Sequence, residues 1–304
     1  MNQRIWVTGA TGYTGKFLVR LLAATVSPGT EIVGLSRSCP RSRKSDIFYH
    51  PLDLSDPLAI RSLARREPPD LVFHLAGMAP PAPESFFWQV NVGGTVNLLQ
   101  ELYSAGCRKT QIVCVGSAAE YHSSPEGRMT EDSPAGGGTP YGRSKWSQTN
   151  LAMVLGHNLG FQVKIARPFN IIGPGLPDRL VAGRICRKYL DPAIETIKMG
   201  NITSERDFVD VRDVVRGYWI IANYGQAGEI YNICSGEPTS IKKLLELFFQ
   251  VGNSRKEVAV DKKSLRRIDF DRVYGSNEKL KQLGWQQEFS LAESVADMMG
   301  SVTL

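Results

Sequence analysis

The sequence predicts an α/β fold built on a doubly wound parallel sheet with helices on both faces. Short apolar runs alternate with segments of helical periodicity along roughly the first half of the chain, and a glycine-rich turn joins the first run to the first helix. No repeat with a period of about 20 to 50 residues occurs, which excludes a solenoid. Buried parallel strands are near-continuous apolar runs, and strands that alternate with helices pair in parallel. A length of 304 residues leaves room for a second, smaller domain.

Five apolar runs are predicted to be strands, namely Arg4–Thr8, Glu31–Leu35, Leu71–Leu75, Gln111–Val115 and Gln162–Ala166. Helical periodicity occurs at Tyr13–Ala24, Pro57–Arg66, Glu84–Ala105 and Tyr141–Leu159. The alternation breaks after Arg167 at a segment rich in Pro and Gly. A helix at Val211–Asn223 and a strand at Glu229–Ile233 are predicted to return to the sheet. We therefore expect a sheet domain of residues 1–170 with return elements near 208–235, and a smaller, interleaved domain in residues 171–304.

Composition narrows the classes of function. The chain has 36 Lys+Arg and 30 Asp+Glu, a net charge of +6, with the two signs interspersed. This favours an anionic small molecule over nucleic acid. No apolar run reaches the ~20 residues of a membrane span, and the first residues lack a signal-peptide core. We expect a cytoplasmic protein without a membrane or nucleic-acid partner.

Cysteines and histidines show no metal-ligand spacing. The five cysteines are Cys39, Cys107, Cys114, Cys186 and Cys234, an odd number at scattered positions. The four histidines form no cluster with them. Reduced thiols and no metal are the expectation.

The turn after the first strand has the spacing of a phosphate-binding loop. In TGATGYTG, Gly9, Gly12 and Gly15 stand three residues apart, immediately before an apolar-periodic helix. Glycines there allow a tight turn, a close approach to a pyrophosphate and close helix packing, with the helix N-terminus facing the phosphates. The pattern predicts a Rossmann-type dinucleotide site.

Basic residues at the end of the second strand predict the choice of cofactor. An NAD site usually has Asp or Glu there, whereas this chain has Ser36 and Arg37, followed by Arg41 and Arg43. A guanidinium can hold a 2′-phosphate with paired hydrogen bonds. NADP(H) is therefore preferred, and NAD(H) stays possible.

Three side chains form a candidate catalytic group. Tyr141 and Lys145 lie four positions apart on a predicted helix and so share one face. A nearby ammonium is expected to lower the pKa of the phenol and make it a tunable acid or base. Ser117 ends an apolar strand, which places its hydroxyl at the ligand crevice of an open sheet.

With these motifs in place, the chain resembles the extended short-chain dehydrogenases/reductases, the epimerase/dehydratase/reductase family of nucleotide sugars. The resemblance spans nearly the whole length, through TGATGYTG, LDLSDP, HLAG, NVGGT, VGSAAEY, PYGRSK, RPFNIIGPG, RDFVDVRD, YNICSG and EKLKQLGW. It implies an NAD(P)-dependent enzyme with Ser117, Tyr141 and Lys145 as catalytic residues. The predicted cofactor-binding residues are Gly9, Thr11, Gly12, Tyr13, Gly15, Ser36, Arg37, Asp53, Leu54, Ala76, Gly77, Met78, Asn91, Tyr141, Lys145 and Pro168.

The residues after Ser117 separate members of this family. Dehydratases have an acid there for water elimination, whereas this chain has Ala118 and Ala119. Glu120 comes one residue late and would point to the other side if the strand is still extended. A dehydratase is therefore disfavoured, because general acid/base help worth ~10² to 10⁴ in rate would be missing.

The motifs most resemble the GDP-4-keto-6-deoxy-mannose reductases, which make GDP-rhamnose. Those reductases often have acidic residues after the serine, so Ala118 and Ala119 depart from that pattern as well and leave the base and sugar open. Family position points to Ser117, Asn170, Arg206 and Arg266 as substrate contacts, with Arg267 as an alternative to Arg266.

Two other functions are compatible with these residues. One is a nucleotide-sugar 4-epimerase that retains NAD, although Arg37 disfavours it. The other is a cofactor-sensing protein without catalysis. The resemblance also implies a homodimer through a four-helix interface. Apolar residues on the two long helices support this interface, namely Phe86, Phe87, Trp88, Leu98, Leu99, Leu102, Trp146, Leu151 and Leu155.

Overall fold

The computed structural model describes residues 3–38, 47–122, 128–261 and 271–301. The strands in these ranges are β1 (Arg4–Thr8), β2 (Glu31–Ser36), β3 (Ile47–Pro51), β4 (Leu71–His74), β5 (Gln111–Val115), β6 (Gln162–Pro168), β7 (Asn170–Ile172), β8 (Thr196–Met199), β9 (Glu205–Asp210), β10 (Ile230–Ile233), β11 (Pro238–Ser240), β12 (Glu257–Val260) and β13 (Arg272–Val273). Seven of them form one sheet in the order β10-β6-β5-β4-β1-β2-β3. All its pairings are parallel, which confirms the predicted doubly wound sheet.

Helices cover both faces of this sheet. They are α1 (Tyr13–Thr25), α2 (Pro57–Arg66), α3 (Glu84–Phe87), α4 (Gly94–Ser104), α5 (Pro140–Leu159), α6 (Val181–Leu190), α7 (Val211–Tyr224), α8 (Ile241–Val251), α9 (Glu278–Lys281) and α10 (Leu291–Ser301). Along β1, Ile5 and Val7 point into the core under α1 and α7, whereas Trp6 points into the core under α2, α4 and α5. All three are fully buried, as expected for a strand covered on both faces.

The second half of the chain adds two smaller sheets. One has the order β11-β9-β13, with β7 also paired to β9, and the other joins β8 to β12. Helices α6, α8 and α10 enclose a separate core that includes Leu244, Phe248 and Val295. The chain passes from β9 directly into α7, which packs on α1, and then into β10 at the edge of the large sheet. Both sheets therefore share the segment around residue 210.

Two elements differ from the prediction. The strand Ile47–Pro51 was not predicted, and it forms the edge of the large sheet beside β2. The predicted helix Glu84–Ala105 contains a π-helical segment, Trp88–Gly93, between α3 and α4. Such segments occur often at functional sites, and Asn91 lies in this one.

No helix in the described part of the chain has the length and apolar character needed to span a bilayer. Nor do the described residues place three or more His, Cys, Asp or Glu side chains around a possible metal position. Cys107, Cys114, Cys186 and Cys234 are free thiols, all buried, and Cys39 lies outside the described residues.

Candidate active site

A cleft opens at the carboxyl ends of β1, β2 and β4, where the strand order reverses. Its volume is about 350 Å³. Open α/β sheets bind their ligands at this switch point. Ten of the predicted cofactor residues line the cleft, and they are Gly9, Thr11, Gly12, Ser36, Arg37, Asp53, Leu54, Ala76, Gly77 and Met78.

The glycine loop forms the floor of the cleft. Gly9 has φ +70°, and a Cβ there would lie 2.9 Å from the backbone nitrogen of Ala76. A Cβ on Gly15 would lie 2.2 Å from the carbonyl oxygen of Gly9. Gly12 caps α1 without a side-chain hydrogen bond, so the first amides of the helix are left for an anion. These features fit a dinucleotide pyrophosphate.

Polar groups at the end of β2 form one side of the cleft. The hydroxyls of Thr11 and Ser36 are 2.8 Å apart, and the exposed Arg37 borders the cleft. Asp53 accepts hydrogen bonds from the backbone nitrogen and hydroxyl of Ser55, both at 2.9 Å. These bonds, and the nearby Arg37 guanidinium, lower the pKa of Asp53. The cleft thus has a free guanidinium surface for a 2′-phosphate beside an already satisfied carboxylate.

A buried hydrogen-bond chain supports the wall at residues 76–78. Thr95 donates to the carbonyl of Asn91 at 2.7 Å, so its oxygen accepts from His74 Nε2 at 2.8 Å. His74 Nδ1 then accepts from the hydroxyl of Thr8 at 2.8 Å, and that hydroxyl oxygen accepts from the amide of Ala76 at 3.0 Å. Burial, with a smaller effect of the Lys145 charge, lowers the pKa of His74 to about 3. The imidazole is therefore neutral, in a single tautomer.

Asn91 continues this support towards the catalytic helix. Its side-chain oxygen accepts from the amide of Met78 at 2.7 Å, and its nitrogen donates to the carbonyl of Met78 at 3.1 Å and to Ser144 Oγ at 3.0 Å. Ser144 in turn donates to the carbonyl of Tyr141 at 2.8 Å. The cleft wall and the backbone of Tyr141 are thus connected through one amide side chain.

Ser117 and Tyr141 come together beside the cleft. Ser117 lies two residues beyond β5, and a hydrogen bond joins it to the hydroxyl of Tyr141. The ring of Tyr141 packs edge-on against Phe87, with centroids 5.8 Å apart. Burial raises the pKa of Tyr141, the bond to Ser117 lowers it in part, and the charge of Glu120 raises it.

The predicted lowering of the Tyr141 pKa by Lys145 is wrong for this structure. Burial outweighs the effect that lowers the pKa, and the Lys145 ammonium is directed elsewhere. It donates to the carbonyl of Val115 at 2.6 Å and to Gln148 Oε1 at 2.5 Å. Burial also lowers the pKa of Lys145 itself.

Glu120 does not point away from the site, as an extended strand would require. Strand β5 ends at Val115, and Ala118–Glu120 form a 3₁₀ turn capped by Ser117. The turn directs the Glu120 carboxylate inward, where it is fully buried. Because one oxygen accepts from Ser117 and the other from Arg167, Glu120 is not a free proton donor.

Four predicted cofactor residues lie outside the cleft lining. The hydroxyl of Tyr13 is buried without a hydrogen bond, near Gly173 and Asp210. Gly15 packs on the glycine loop, Asn91 supports Met78, and Pro168 is buried at the end of β6. Their contacts are with the protein, so the sequence placed them one layer too close to the cofactor.

The predicted substrate residues lie in the small sheet that follows β6. Asn170 donates to the carbonyl of Asp207 at 3.2 Å, and Arg206, half-buried, donates to the carbonyl of Glu205 at 2.8 Å. Strand β9 places both in neighbouring registers beyond Pro168. Arg266 and its alternative Arg267 lie outside the described residues, as do Arg41 and Arg43.

Sequence reasoning missed three supporting side chains. Gln148 lies three positions after Lys145, hence on the same helical face, and this spacing could have identified it. His74 stands in the HLAG motif at the end of β4. Arg167 contacts Glu120 across two neighbouring strands, and no local pattern signals that pairing.

Known proteins resemble the chain over almost its full length. The GDP-6-deoxy-D-mannose reductase of Pseudomonas aeruginosa is 34% identical, covering 97% of this chain and 95% of that protein. The GDP-6-deoxy-D-talose 4-dehydrogenase of Aggregatibacter actinomycetemcomitans is 24% identical over 97% of this chain and 96% of its own. The structure of RMD from Pseudomonas aeruginosa complexed with NADPH matches with a TM-score of 0.85 and 32% identity, covering 99% and 98% of the two chains. The profile of the NAD dependent epimerase/dehydratase family matches residues 5–234. The chain therefore belongs to the NAD dependent epimerase/dehydratase family.

Proposed function

We propose that the protein is an NADPH-dependent reductase of the 4-keto group in a nucleotide-linked 4-keto-6-deoxy sugar, of the type that converts GDP-4-keto-6-deoxy-mannose to GDP-rhamnose. The observation that carries the proposal is the hydrogen-bonded pair of Ser117 and Tyr141 beside a glycine-lined cleft that Arg37 borders. Of the relatives, one at 34% identity is a GDP-6-deoxy-D-mannose reductase, and one solved at 32% identity holds NADPH. Both support the assignment of substrate and cofactor.

The chain's own residues supply the proton chemistry. When bound, NADPH supplies the hydride that adds to C4 of the sugar. Tyr141 donates its proton to the oxygen on C4 as that oxygen becomes an alkoxide, and Ser117 hydrogen-bonds the same oxygen. Because burial raises the pKa of Tyr141, the phenol carries its proton at neutral pH. Lys145 would hold the ribose hydroxyls of the nicotinamide half.

The substitution of acids by alanine after Ser117 sets the reaction type. Ala118 and Ala119 carry no proton donor, and both oxygens of Glu120 are engaged. Reduction of a ketone needs a hydride, one proton and polarisation of the carbonyl. Elimination of water needs a further acid and base, so the site supports reduction.

Residues 171–304 are proposed to hold mainly the sugar nucleotide, with Asn170 and Arg206 at the border of the two domains. A guanidinium suits a diphosphate. The buried free thiols fit a reducing compartment such as the cytoplasm.

A homodimer is proposed through α3, α5 and the helical segments next to them. Phe86, Trp88, Trp146, Leu151 and Val154 expose 36–54% of their surface. Four of the residues that first suggested this interface belong to the core instead, because they point towards the sheet, and they are Phe87, Leu98, Leu99 and Leu102. The exposed set is still a larger apolar surface than a lone helix face requires.

Turnover of a substrate panel tests the proposal. The purified protein is incubated with NADPH and several 4-keto-6-deoxy nucleotide sugars that differ in base and sugar, with absorbance of the nicotinamide and NMR of the product as readouts. We expect oxidation of NADPH and a 4-hydroxy product with at least one of them. Release of tightly bound NAD on denaturation, with interconversion of 4-epimers, would instead indicate the epimerase. Binding of NADPH without turnover of any member would indicate the cofactor-sensing protein.

A further inference from the structure

Glu120 and Arg167 form an ion pair in the protein interior directly behind Ser117. Their side chains are 0% and 2% exposed. Glu120 Oε2 accepts from Arg167 Nη2 at 2.8 Å, and Glu120 Oε1 accepts from the backbone nitrogen of Ser117 at 2.7 Å. The carboxylate is therefore shared between a buried cation and the backbone of a proposed catalytic residue.

The pair is not arranged for stability alone. Nε and Nη1 of Arg167 are buried and have no hydrogen-bond partner, and the guanidinium stacks 4.5 Å from the centroid of the Tyr121 ring. Apolar side chains of similar volume usually replace such a pair without loss of stability. A buried carboxylate at this position needs another reason, and its bond to Ser117 supplies one.

Glu120 also connects Ser117 to the start of the catalytic helix. Its backbone oxygen accepts from the amides of Gly136 and Gly137 at 2.8 and 2.9 Å. Gly142, the residue after Tyr141, packs so closely on this turn that a Cβ would lie 2.2 Å from the carbonyl oxygen of Ala119. The turn and the first turn of α5 thus move as one unit.

We propose that Glu120, paired with Arg167, is a positioning residue that holds Ser117 in place against Tyr141. This inference rests on the proposed function, since it takes Ser117 to be the residue that contacts the carbonyl oxygen of the substrate. Glu120 itself touches neither substrate nor cofactor. Its charge also raises the pKa of both Tyr141 and Lys145, which favours the protonated forms that donate.

A double-mutant cycle separates positioning from a merely structural role. Glu120→Ala removes the acceptor of the Ser117 amide, and we expect kcat to fall roughly 10- to 100-fold while KM and the Kd for NADPH change little. Glu120→Gln keeps an acceptor and should restore most of kcat. In the Ser117→Ala background, Glu120→Ala should cost nothing more, because no hydroxyl is left to position. Additive losses would overturn the inference.

A second variant covers the possibility that Glu120→Ala does not fold. The double variant Glu120→Leu/Arg167→Met replaces the pair by apolar side chains, and we expect an unchanged melting temperature but the same loss of kcat. The matched control is Glu101→Gln, which breaks the pair of Glu101 with Arg61 at 2.5 Å, away from the cleft. Wild-type kcat in the apolar double variant would contradict the positioning role.

One measurement does not depend on the substrate. An amide bonded to a carboxylate resonates downfield, so the Ser117 amide proton should move upfield in Glu120→Leu/Arg167→Met and stay in Glu101→Gln. If the wild type reduces no keto sugar but the resonance moves as expected, the proposed function fails and the positioning stands. If the resonance does not move, the positioning role is wrong whatever the substrate.

Discussion

The ammonium group of Lys145 lies 2.5 Å from the side-chain oxygen of Gln148, one helical turn further along α5. Both residues are buried, and the amide nitrogen of Gln148 donates to the sulfur of Cys114 at 3.4 Å. The glutamine is thereby fixed in one orientation, with its oxygen towards the lysine. A neutral acceptor holds the lysine in place without neutralising its charge.

Gln148→Ala should lower both turnover and NADPH affinity. Loss of a hydrogen bond to a charged donor costs about 1.5–3 kcal/mol, hence roughly tenfold or more in either quantity. Gln148→Glu keeps an acceptor and should recover the affinity. Stopped-flow fluorescence of NADPH and initial rates measure the two effects. Equal losses in both variants would show that Gln148 acts only by packing.

Tyr141→Phe should lower kcat by at least ~10² and leave the Kd for NADPH almost unchanged, because it removes only the hydroxyl. Ser117→Ala should mainly lower turnover through lost stabilisation of the oxyanion, and Lys145→Ala should reduce both turnover and binding. Single-turnover oxidation of NADPH isolates the chemical step. Wild-type single-turnover rates in Tyr141→Phe would mean that the proton comes from another residue. Because Glu120 is fully engaged, His122 would be the next candidate.

Arg37→Ala should weaken NADPH selectively. A charge-assisted bond to the 2′-phosphate is worth about 1.5–3 kcal/mol, so the Kd for NADPH should rise roughly 10- to 150-fold with little change for NADH. Arg66→Ala, an exposed arginine on α2, is the matched control. Titration calorimetry with each cofactor gives the ratio. A wild type that binds both cofactors equally, with Arg37→Ala unchanged, would rule the assignment out.

His74 should make the protein lose stability in mild acid. Its pKa is about 3 in the folded state and about 6.5 when unfolded. The unfolded state therefore binds the proton first, and the free energy of unfolding is full above pH 6.5 and falls as the pH drops from there towards 3. Urea unfolding at several pH values measures this slope. His74→Gln should flatten it, and an equal slope in that variant would place the cause elsewhere.

Trp146→Asp should convert a dimer into a monomer. Trp146 is 38% exposed on α5, and a carboxylate there would be desolvated in an apolar interface. Leu58→Asp is the control, on a residue that is 71% exposed on α2. Light scattering should give twice the 33.6 kDa of the chain for wild type and control. A wild-type mass of one chain would refute the proposed interface.

The alternation of apolar runs predicted the large sheet well. The bounds of β1, β5 and α2 coincide with the predicted ones, because buried parallel strands and capped amphipathic helices have strong local signals. Strand β3 was missed because IFYHP contains a histidine and a proline and lies at the edge of the sheet, where one side needs no partner. The π-helical segment at Trp88–Gly93 has no signature distinct from that of an α-helix.

For the candidate site, local spacing identified the residues that face the ligand, and long-range contacts determined the rest. Tyr141 and Lys145 follow from a four-residue interval on one helix. The inward direction of Glu120 depends on a turn that closes only when Arg167, 47 positions later, lies beside it. Burial likewise reversed the expected direction of the Tyr141 pKa, since desolvation depends on the whole fold.

The late arrival of β10 affects how the chain can fold as it is made. Strand β6 ends at residue 168 and pairs on its outer side with β10, which begins at residue 230. A nascent chain that has completed β6 thus exposes a row of unpaired backbone groups in the middle of an apolar sheet, an edge prone to pair with another chain. Loop closure across the small domain must come first, which slows formation of the last pairing. The interleaved topology therefore links the solubility of the nascent cofactor domain to the synthesis of the substrate domain.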